Sequence, residues 1–291
     1  MNKLTDKELI DELRARMAEK TNALQELKLL NMKLEESEKL KSHFISNITN
    51  EIVNPFSSIL GLSKSILSVD KENWKKVNSM VAMIHSEAFS LDFQLKNIFA
   101  AAKIEAGEIY PEIGRVNIDN LVRSVSDSFR LEAMKKKLKI ELIFGVEEER
   151  IKNFRTDPEK LKLILSNLIN NAVKFSYEES TIAVNIRMAE PNLIISVLNK
   201  GVEISEGYKQ FIFDRFKRAD SDITSVNRGH GLGLSIIRAL LDLLEGEISF
   251  NSDNVNGTKF IISIPESNEQ DDSFTTSLNG DEMFFEDNQV F

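Results

Sequence analysis

A glycine-rich segment, GHGLGLS at residues 229–235, has the residue types in this sequence that most directly suggest chemistry. Apolar residues at helical spacing follow it, at Ile236, Leu240 and Leu244. Glycines that lead into the free N–H groups of a helix start can form an anion site. A single glycine-rich segment is weak evidence, because any tight turn also favours glycine. The segment therefore predicts a helix start that is able to bind an anion.

Three polar residues at helical spacing are the second candidate for chemistry. Asn167, Asn171 and Lys174 lie four and three positions apart in LILSNLINNAVKFS, residues 163–176. Residues at these intervals line one face of a helix. The spacing alone leaves two interpretations open: a binding face, or the polar outer face of an amphipathic helix.

The composition excludes several other chemistries. The chain has 291 residues and no cysteine, which removes disulfides, thiolate chemistry and cysteine-ligated metals. Its histidines, His43, His85 and His230, are scattered, so a zinc or iron centre is not expected. No apolar run of about 18 residues appears, and the first residues do not resemble a signal peptide. We expect a cytoplasmic protein, or the cytoplasmic part of a larger sensor, without membrane contact of its own.

The net charge of −9 is concentrated at the C-terminus. Eight acidic residues and no basic ones follow Lys259, so the rest of the chain is close to neutral. It offers no basic stripe, and nucleic acid is not an expected partner. Residues 267–291 are polar, acidic and without periodicity, which predicts an acidic disordered tail.

The N-terminal part of the chain has the apolar periodicity of a coiled coil. Asn31 falls at an a position, where a buried Asn favours one register in a parallel dimer. A single amphipathic helix packed on its own chain is the alternative. The apolar positions are Ile10, Leu13, Met17, Leu24, Leu27 and Leu34.

Two long helices follow in the pattern. The first continues to Leu67, with Pro55 as an expected kink. A turn at residues 68–71 precedes a second helix, which should end near Gly107. Such a hairpin has too little core alone, so pairing into a four-helix dimer is the natural completion.

The chain changes character after Pro111. Asp157 followed by Pro158 and Glu159 predicts the start of a helix. Strands that alternate with helices indicate an α/β layer domain. The expected strands are Lys139–Phe144, Thr181–Arg187, Leu193–Leu198, Glu247–Phe250 and Thr258–Ile264.

Three segments, in this order and spacing, resemble the sensor histidine kinases of two-component systems, with a GHKL-type ATP-binding domain. Residues 41–67, KSHFISNITNEIVNPFSSILGLSKSIL, resemble the phosphoacceptor helix. Residues 163–176 resemble the N box. The glycine segment lies between IFDRFKRAD (212–220), similar to the F box, and GTKFIISIP (257–265). The resemblance covers about residues 38–265.

The resemblance implies roles for individual residues. Asn50 stands at the phosphoacceptor position, and Glu51 is the neighbouring carboxylate. Asn54 corresponds to the residue that orients water when such proteins dephosphorylate a response regulator. Asn171 would hold Mg²⁺ on ATP, and Lys174 would approach the phosphates. The implied nucleotide-binding residues are Asn167, Asn171, Lys174, Asn199, Gly201, Gly229, Gly231, Gly233 and Thr258.

Three positions depart from the family pattern. The phosphoacceptor histidine is replaced by Asn50, whose delocalised amide nitrogen is a very poor nucleophile. Asn199 stands where the family has an adenine-binding Asp, and it lacks the negative charge that strengthens such a hydrogen bond. Glu203 replaces a glycine, adding bulk and a carboxylate. ATP and Mg²⁺ binding should therefore be weakened, and none of the three histidines has a motif that would replace the missing one.

These observations together predict an α+β protein. We expect a coiled-coil signalling helix over 1–37, a dimerisation and phosphoacceptor-like hairpin over 38–108, an ATP-binding-like catalytic domain over 109–266, and the acidic tail. Hairpin and coiled coil should form a dimeric four-helix bundle, followed by an α/β sandwich of the histidine-kinase ATPase type.

The expected function is that of a degenerate sensor kinase, or pseudokinase, in two-component signal transduction. It would signal as a homodimer that binds a response regulator receiver domain or a partner histidine kinase. Two alternatives stay open: a response-regulator phosphatase that uses Asn54, and an engineered, inactivated form of an active ATP-dependent protein-histidine kinase. Autophosphorylation is not expected.

Overall fold

The computed structural model describes residues 6–70, 73–145, 151–214 and 231–267. The predicted tail lies outside the described residues, apart from Ser267. Contacts divide the chain into two units, residues 1–53 and 54–291.

Two helices form the N-terminal part, as predicted. Helix α1 spans Asp6–Leu67 without interruption at Pro55. Helix α2 spans Trp74–Ala106 and begins where the Asn73 side chain accepts a hydrogen bond from the Lys76 N–H, at 3.3 Å. It ends at Gly107, whose φ of 68° is the left-handed conformation that glycine adopts without strain. No helix in the described ranges is both long and apolar enough to cross a bilayer.

The remaining described chain is a mixed α+β domain, which confirms the predicted fold class. Strands β2 (Lys139–Phe144), β4 (Thr181–Ala189), β5 (Asn192–Asn199), β7 (Gly257–Pro265) and β6 (Glu247–Asp253) form one sheet in that order. Within this sheet β2 and β4 are parallel, and the other neighbours are antiparallel. Strands β1 (Gly114–Val116) and β3 (Phe154–Thr156) form a separate antiparallel pair. In chain order the elements are β1 Gly114–Val116, α3 Ile118–Ser128, α4 Arg130–Lys135, β2 Lys139–Phe144, β3 Phe154–Thr156, α5 Pro158–Phe175, β4 Thr181–Ala189, β5 Asn192–Asn199, α6 Glu206–Lys209, α7 Gly233–Leu243, β6 Glu247–Asp253 and β7 Gly257–Pro265.

The core lies between one face of this sheet and the helices α3, α5 and α7. Alternate residues of the strands face it, because successive side chains of a strand point to opposite sides. Helix α5 packs against both α3 and α7. The fully buried strand residues include Ile182, Val184, Leu193, Ile195 and Ile262.

Helix α5 is fixed at both ends by side chains. The buried Asp157 carboxylate accepts hydrogen bonds from the Lys160 N–H at 2.9 Å and the Glu112 N–H at 2.6 Å. At the other end, the Lys136 ammonium group donates to the carbonyls of Val173 (3.1 Å) and Lys174 (2.5 Å). An acid at the start of a helix and a cation at its end both interact favourably with the helix dipole. The helix that carries the candidate site is therefore held in place at both termini.

One face of α2 packs against the mixed domain. Phe89 and Phe93 meet the buried Phe129 edge to face, with ring centroids 5.2 and 6.0 Å apart. Nearby, the Ser86 hydroxyl donates to Glu132 at 3.1 Å and accepts from Lys135. Aromatic pairs of this geometry contribute about 0.5–1.5 kcal/mol beyond the area they bury. The second hairpin helix is thus anchored to the domain that follows it.

Candidate nucleotide site

The three polar residues of the α5 face differ in burial. Asn167 is 3% exposed, and its side-chain N–H groups donate to Asn97 Oδ1 at 2.7 Å and to the Leu163 carbonyl at 2.9 Å. Asn171 and Lys174 are half-buried. The Lys174 ammonium group lies 5.1 Å from the centre of the Phe175 ring, within range of a cation–π contact. One residue of this face is buried and the other two are half-buried. The face is therefore not the solvent-exposed side of an amphipathic helix.

Asn199 ends strand β5 in a buried position. It is 4% exposed, and its Nδ2 has no hydrogen-bond partner. Leaving a buried donor unpaired costs about 1–3 kcal/mol. A ligand that offered an acceptor here would remove that cost.

Two glycines allow the backbone to close around Asn199. A Cβ on Gly201 would lie 1.9 Å from the Phe175 carbonyl oxygen and 3.0 Å from Asn199 Nδ2. A Cβ on Gly257 would lie 2.2 Å from the Asn199 carbonyl oxygen, and its φ of 88° is left-handed. Any side chain at either position would collide with backbone. These glycines are required by close packing beside Asn199.

Thr258 is linked to the segment that follows Asn199. It pairs with Asn199 in the sheet register, and its hydroxyl lies 2.7 Å from that of Ser252. The Ser252 hydroxyl in turn accepts from the Ile204 N–H at 3.0 Å. Ser252 therefore joins β6 to Ile204. Nothing in the sequence pattern singled out Ser252, because this contact spans 48 positions.

The glycine segment is described only at its end. Gly229 and His230 lie outside the described residues. Gly231 has a left-handed φ of 66°, and helix α7 begins at Gly233. A Cβ on Gly233 would lie 2.7 Å from Asn167 Oδ1. The start of α7 and the α5 face are therefore in direct contact, as a shared site requires.

Charged groups flank the site on the side of α6. A hydrogen bond to Glu206 raises the pKa of the half-buried Lys209, and the charges of Glu206, Glu203 and Asp253 add to this effect. Hydrogen bonds from Asn256 and Val255 lower the pKa of Asp253, with a smaller contribution from Lys209. Lys209 therefore balances part of the acidic charge near Glu203.

The residues at the phosphoacceptor position are placed on α1. The side chains of Asn50 and Glu51 lie outside the described residues, as does that of His43. Asn54 is exposed, and His85 is exposed on α2. The predicted roles of these residues remain predictions.

The described residues fit a nucleotide. Asn199 supplies an unpaired buried donor. At the glycines 201, 233 and 257 the chain packs so closely that a Cβ would collide with Phe175, Asn167 or Asn199. Asn171 and Lys174 lie on the same helix as Asn167, one and two turns beyond it. No group of three or more His, Asp or Glu that could hold a metal ion lies in the described part of the chain.

Comparison with known proteins identifies the class of this domain. Residues 156–268 match the family described as histidine kinase-, DNA gyrase B-, and HSP90-like ATPase. The match includes α5, the glycine segment and both strands around Gly257. Residues 156–268 are therefore similar to ATPase domains of the GHKL type.

The wider chain is homologous to sensor histidine kinases of two-component signalling. It is 29% identical over 238 residues to the circadian input-output histidine kinase CikA of Synechocystis, covering 79% of this chain and 31% of that protein. It is 30% identical over 253 residues to the sensor histidine kinase GacS of Pseudomonas protegens, covering 85% and 27%. The autoinducer 2 sensor kinase/phosphatase LuxQ of Vibrio cholerae is 28% identical, covering 79% and 27%. The chain spans about a third or less of these relatives.

Solved structures show the same fold. Full-length ShkA in complex with AMPPNP matches 78% of this chain and 45% of its own, at 21% identity and a TM-score of 0.53. The Acinetobacter baumannii histidine kinase AdeS matches 75% of this chain and 98% of its own, at 19% identity and a TM-score of 0.51.

Proposed function

We propose that this chain is a degenerate sensor histidine kinase that signals by binding rather than by phosphorylating itself. The observation that carries the proposal is Asn50, which replaces the expected histidine in a helix otherwise similar to the phosphoacceptor helix. ATP would supply the phosphoryl group in an active relative. A carboxamide nitrogen at position 50 cannot accept it, because its lone pair is delocalised into the carbonyl.

The proposed nucleotide contacts are those that the resemblance to the family implies. Asn199 would contact the base, Asn171 would hold Mg²⁺ bound to the phosphates, and Lys174 would approach the phosphates. The glycines at 229, 231 and 233 would leave backbone N–H groups at the start of α7 for the anionic groups. Thr258, whose hydroxyl lies 2.7 Å from that of Ser252, would hold the strand beside Asn199 in place.

We propose that the functional form is a homodimer. The apolar positions of the coiled-coil pattern are largely exposed in the single chain: Met17 is 70% exposed and Leu27 is 64% exposed. In the hairpin, Phe56 and Phe99 are also more than half exposed. A second copy that buried both sets would remove a large apolar area from water. The partner of this dimer would be a response regulator receiver domain or another histidine kinase.

A specific observation favours a second candidate function. Asn54 is exposed on α1, so a partner could reach its carboxamide. In that case the chain would act as a phosphatase, with Asn54 orienting the water that attacks a phospho-aspartate of the response regulator.

Light scattering coupled to gel filtration tests the dimer and the partner together. Alone, the chain should elute with twice the 33.1 kDa mass of one copy. Receiver domains of the source organism's response regulators would then be added one by one. We expect at least one of them to shift the dimer to a higher mass. A monomer at micromolar concentration would contradict the proposed homodimer. No shift with any receiver domain would exclude a receiver domain as the partner.

The same mixtures distinguish binding from phosphatase action. The bound receiver domain would be phosphorylated chemically before mixing, and release of its phosphate would be followed with the native chain and with Asn54→Ala. Unchanged lifetimes in both mixtures support signalling by binding. Faster release of phosphate with the native chain but not with Asn54→Ala establishes the phosphatase activity.

Nucleotide affinity should rise when the two departures in the first glycine box are reversed. We expect the double variant Asn199→Asp, Glu203→Gly to bind a non-hydrolysable Mg–ATP analogue at least tenfold more tightly than the native chain. A hydrogen bond to a charged acceptor is about twice as strong as one to a neutral acceptor. A tenfold gain in affinity needs only about 1.4 kcal/mol. Titration calorimetry measures both constants.

The control for this comparison is Asn192→Asp, at the other end of strand β5. It adds the same single negative charge as Asn199→Asp, but far along the same strand. Its affinity should equal that of the native chain. Equal affinities for the native chain and the double variant would show that neither departure matters.

A further inference from the structure

Asn97 on α2 and Asn167 on α5 form a buried pair that joins the hairpin to the nucleotide site. They are 5% and 3% exposed, and Asn97 Oδ1 accepts from Asn167 Nδ2 at 2.7 Å. The pair continues at both ends. Asn97 Nδ2 donates to the Phe93 carbonyl at 2.9 Å, and Asn167 Nδ2 also donates to the Leu163 carbonyl at 2.9 Å.

The two terminal carbonyls fix the direction of this chain of hydrogen bonds. A main-chain carbonyl can only accept, so Asn97 must turn its nitrogen to Phe93 and its oxygen to Asn167. Asn167 must then present its nitrogen to Asn97 and Leu163. Reversing its amide would set its oxygen against two acceptors in a buried place, which is strongly unfavourable.

The oxygen of Asn167 is therefore directed away from α2. Gly233, the first residue of α7, lies beside it, since a Cβ there would be 2.7 Å from Oδ1. The orientation of one amide decides whether the start of α7 faces an acceptor or a donor. That orientation is set jointly by the Leu163 carbonyl on the same helix and by Asn97, a residue 70 positions away on another helix.

We propose that Asn97 is a positioning residue for the nucleotide site. From α2 it holds the Asn167 amide with its oxygen towards the start of α7, where the glycine segment ends. The affinity for nucleotide then depends on a side chain of the hairpin, and any movement of α2 changes the site. This inference rests on the proposed nucleotide binding by Asn171, Lys174 and the glycine segment.

Three variants of the full chain distinguish two roles of Asn97: positioning of the Asn167 amide, and packing of α2 against the mixed domain. Asn97→Leu has nearly the same shape and adds apolar contact, but it removes the acceptor. Asn97→Asp keeps an acceptor opposite Asn167. Ser86→Ala removes a contact at a distant part of the same interface, with Glu132 and Lys135, and leaves Asn167 untouched.

Two readouts apply to each variant. One is the dissociation constant of a Mg–ATP analogue. The other is hydrogen exchange, without nucleotide, of the Ile236 N–H, which donates to the Leu232 carbonyl at 2.9 Å in the first turn of α7. We expect Asn97→Leu to weaken binding about tenfold and to speed this exchange, since it leaves a buried amide short of a partner. Ser86→Ala should stay within about twofold of the native chain in both readouts. Asn97→Asp should lose less than Asn97→Leu, because it keeps the acceptor opposite Asn167, although its second oxygen faces the Phe93 carbonyl.

Other outcomes overturn the proposal. Native behaviour of Asn97→Leu in both readouts would show that Asn97 does not position Asn167. An equal loss in Ser86→Ala would assign the effect to docking of α2, and an equal loss in Asn97→Asp would exclude the acceptor as its cause. A native chain that binds no nucleotide would contradict the proposed function instead, and the exchange at Ile236 would then decide the role of Asn97 alone.

Discussion

Incubation with ATP labelled at the γ-phosphate should leave no acid-labile, base-stable label on the native chain. Such a label is the signature of a phosphorylated imidazole, and position 50 holds a carboxamide. Nucleophilic attack needs a lone pair that the amide nitrogen does not offer. Autophosphorylation should be lost completely, because the motif offers no other imidazole that could accept the phosphoryl group.

The control restores the missing group in two stages. Asn50→His alone supplies an acceptor, and Asn50→His combined with Asn199→Asp and Glu203→Gly also strengthens nucleotide binding. We expect label in the triple variant and less of it in the single one. Phosphate mapped to His43, His85 or His230 of the native chain would overturn the pseudokinase proposal.

Local sequence signals predicted much of the fold. The Asp157–Pro158–Glu159 start of α5 follows from capping chemistry within three residues, and the structure has that helix at Pro158–Phe175. The five predicted strands are all present, with bounds that differ by at most three residues. In each case the signal and the structure that it specifies lie within one helix or strand.

The site could be predicted only in part, because its geometry depends on contacts between distant segments. Helical spacing correctly placed Asn167, Asn171 and Lys174 on one helix. It could not reveal that Asn167 is buried against Asn97, 70 residues earlier. The resemblance singled out Gly201, yet the reason that glycine is needed there is the carbonyl of Phe175, which no local pattern discloses. Such contacts arise from how elements pack, so periodicity within one element carries no trace of them.

Gly201→Ala should destabilise the mixed domain and abolish its nucleotide affinity. The added Cβ would lie 1.9 Å from the Phe175 carbonyl oxygen, about half of an ordinary van der Waals contact distance. That oxygen belongs to backbone at the end of α5, where Ser176 and Gly201 form a β-bridge. Neither segment can move without breaking the bridge and the hydrogen bond from the Tyr177 N–H to the Lys200 carbonyl at 2.9 Å. Overpacking of this kind costs about 3 kcal/mol.

The matched control is Gly207→Ala, six residues further along. A Cβ there would meet nothing within 4 Å, and the residue lies in helix α6. The same substitution should therefore leave stability unchanged or raise it by up to about 1 kcal/mol, because alanine favours helix over glycine. Urea denaturation followed by circular dichroism gives the free energy of unfolding of both variants. Equal stabilities would show that the approach of Gly201 to Phe175 is not a close contact in solution, and the packing around Asn199 would then have to be looser than the structure has it.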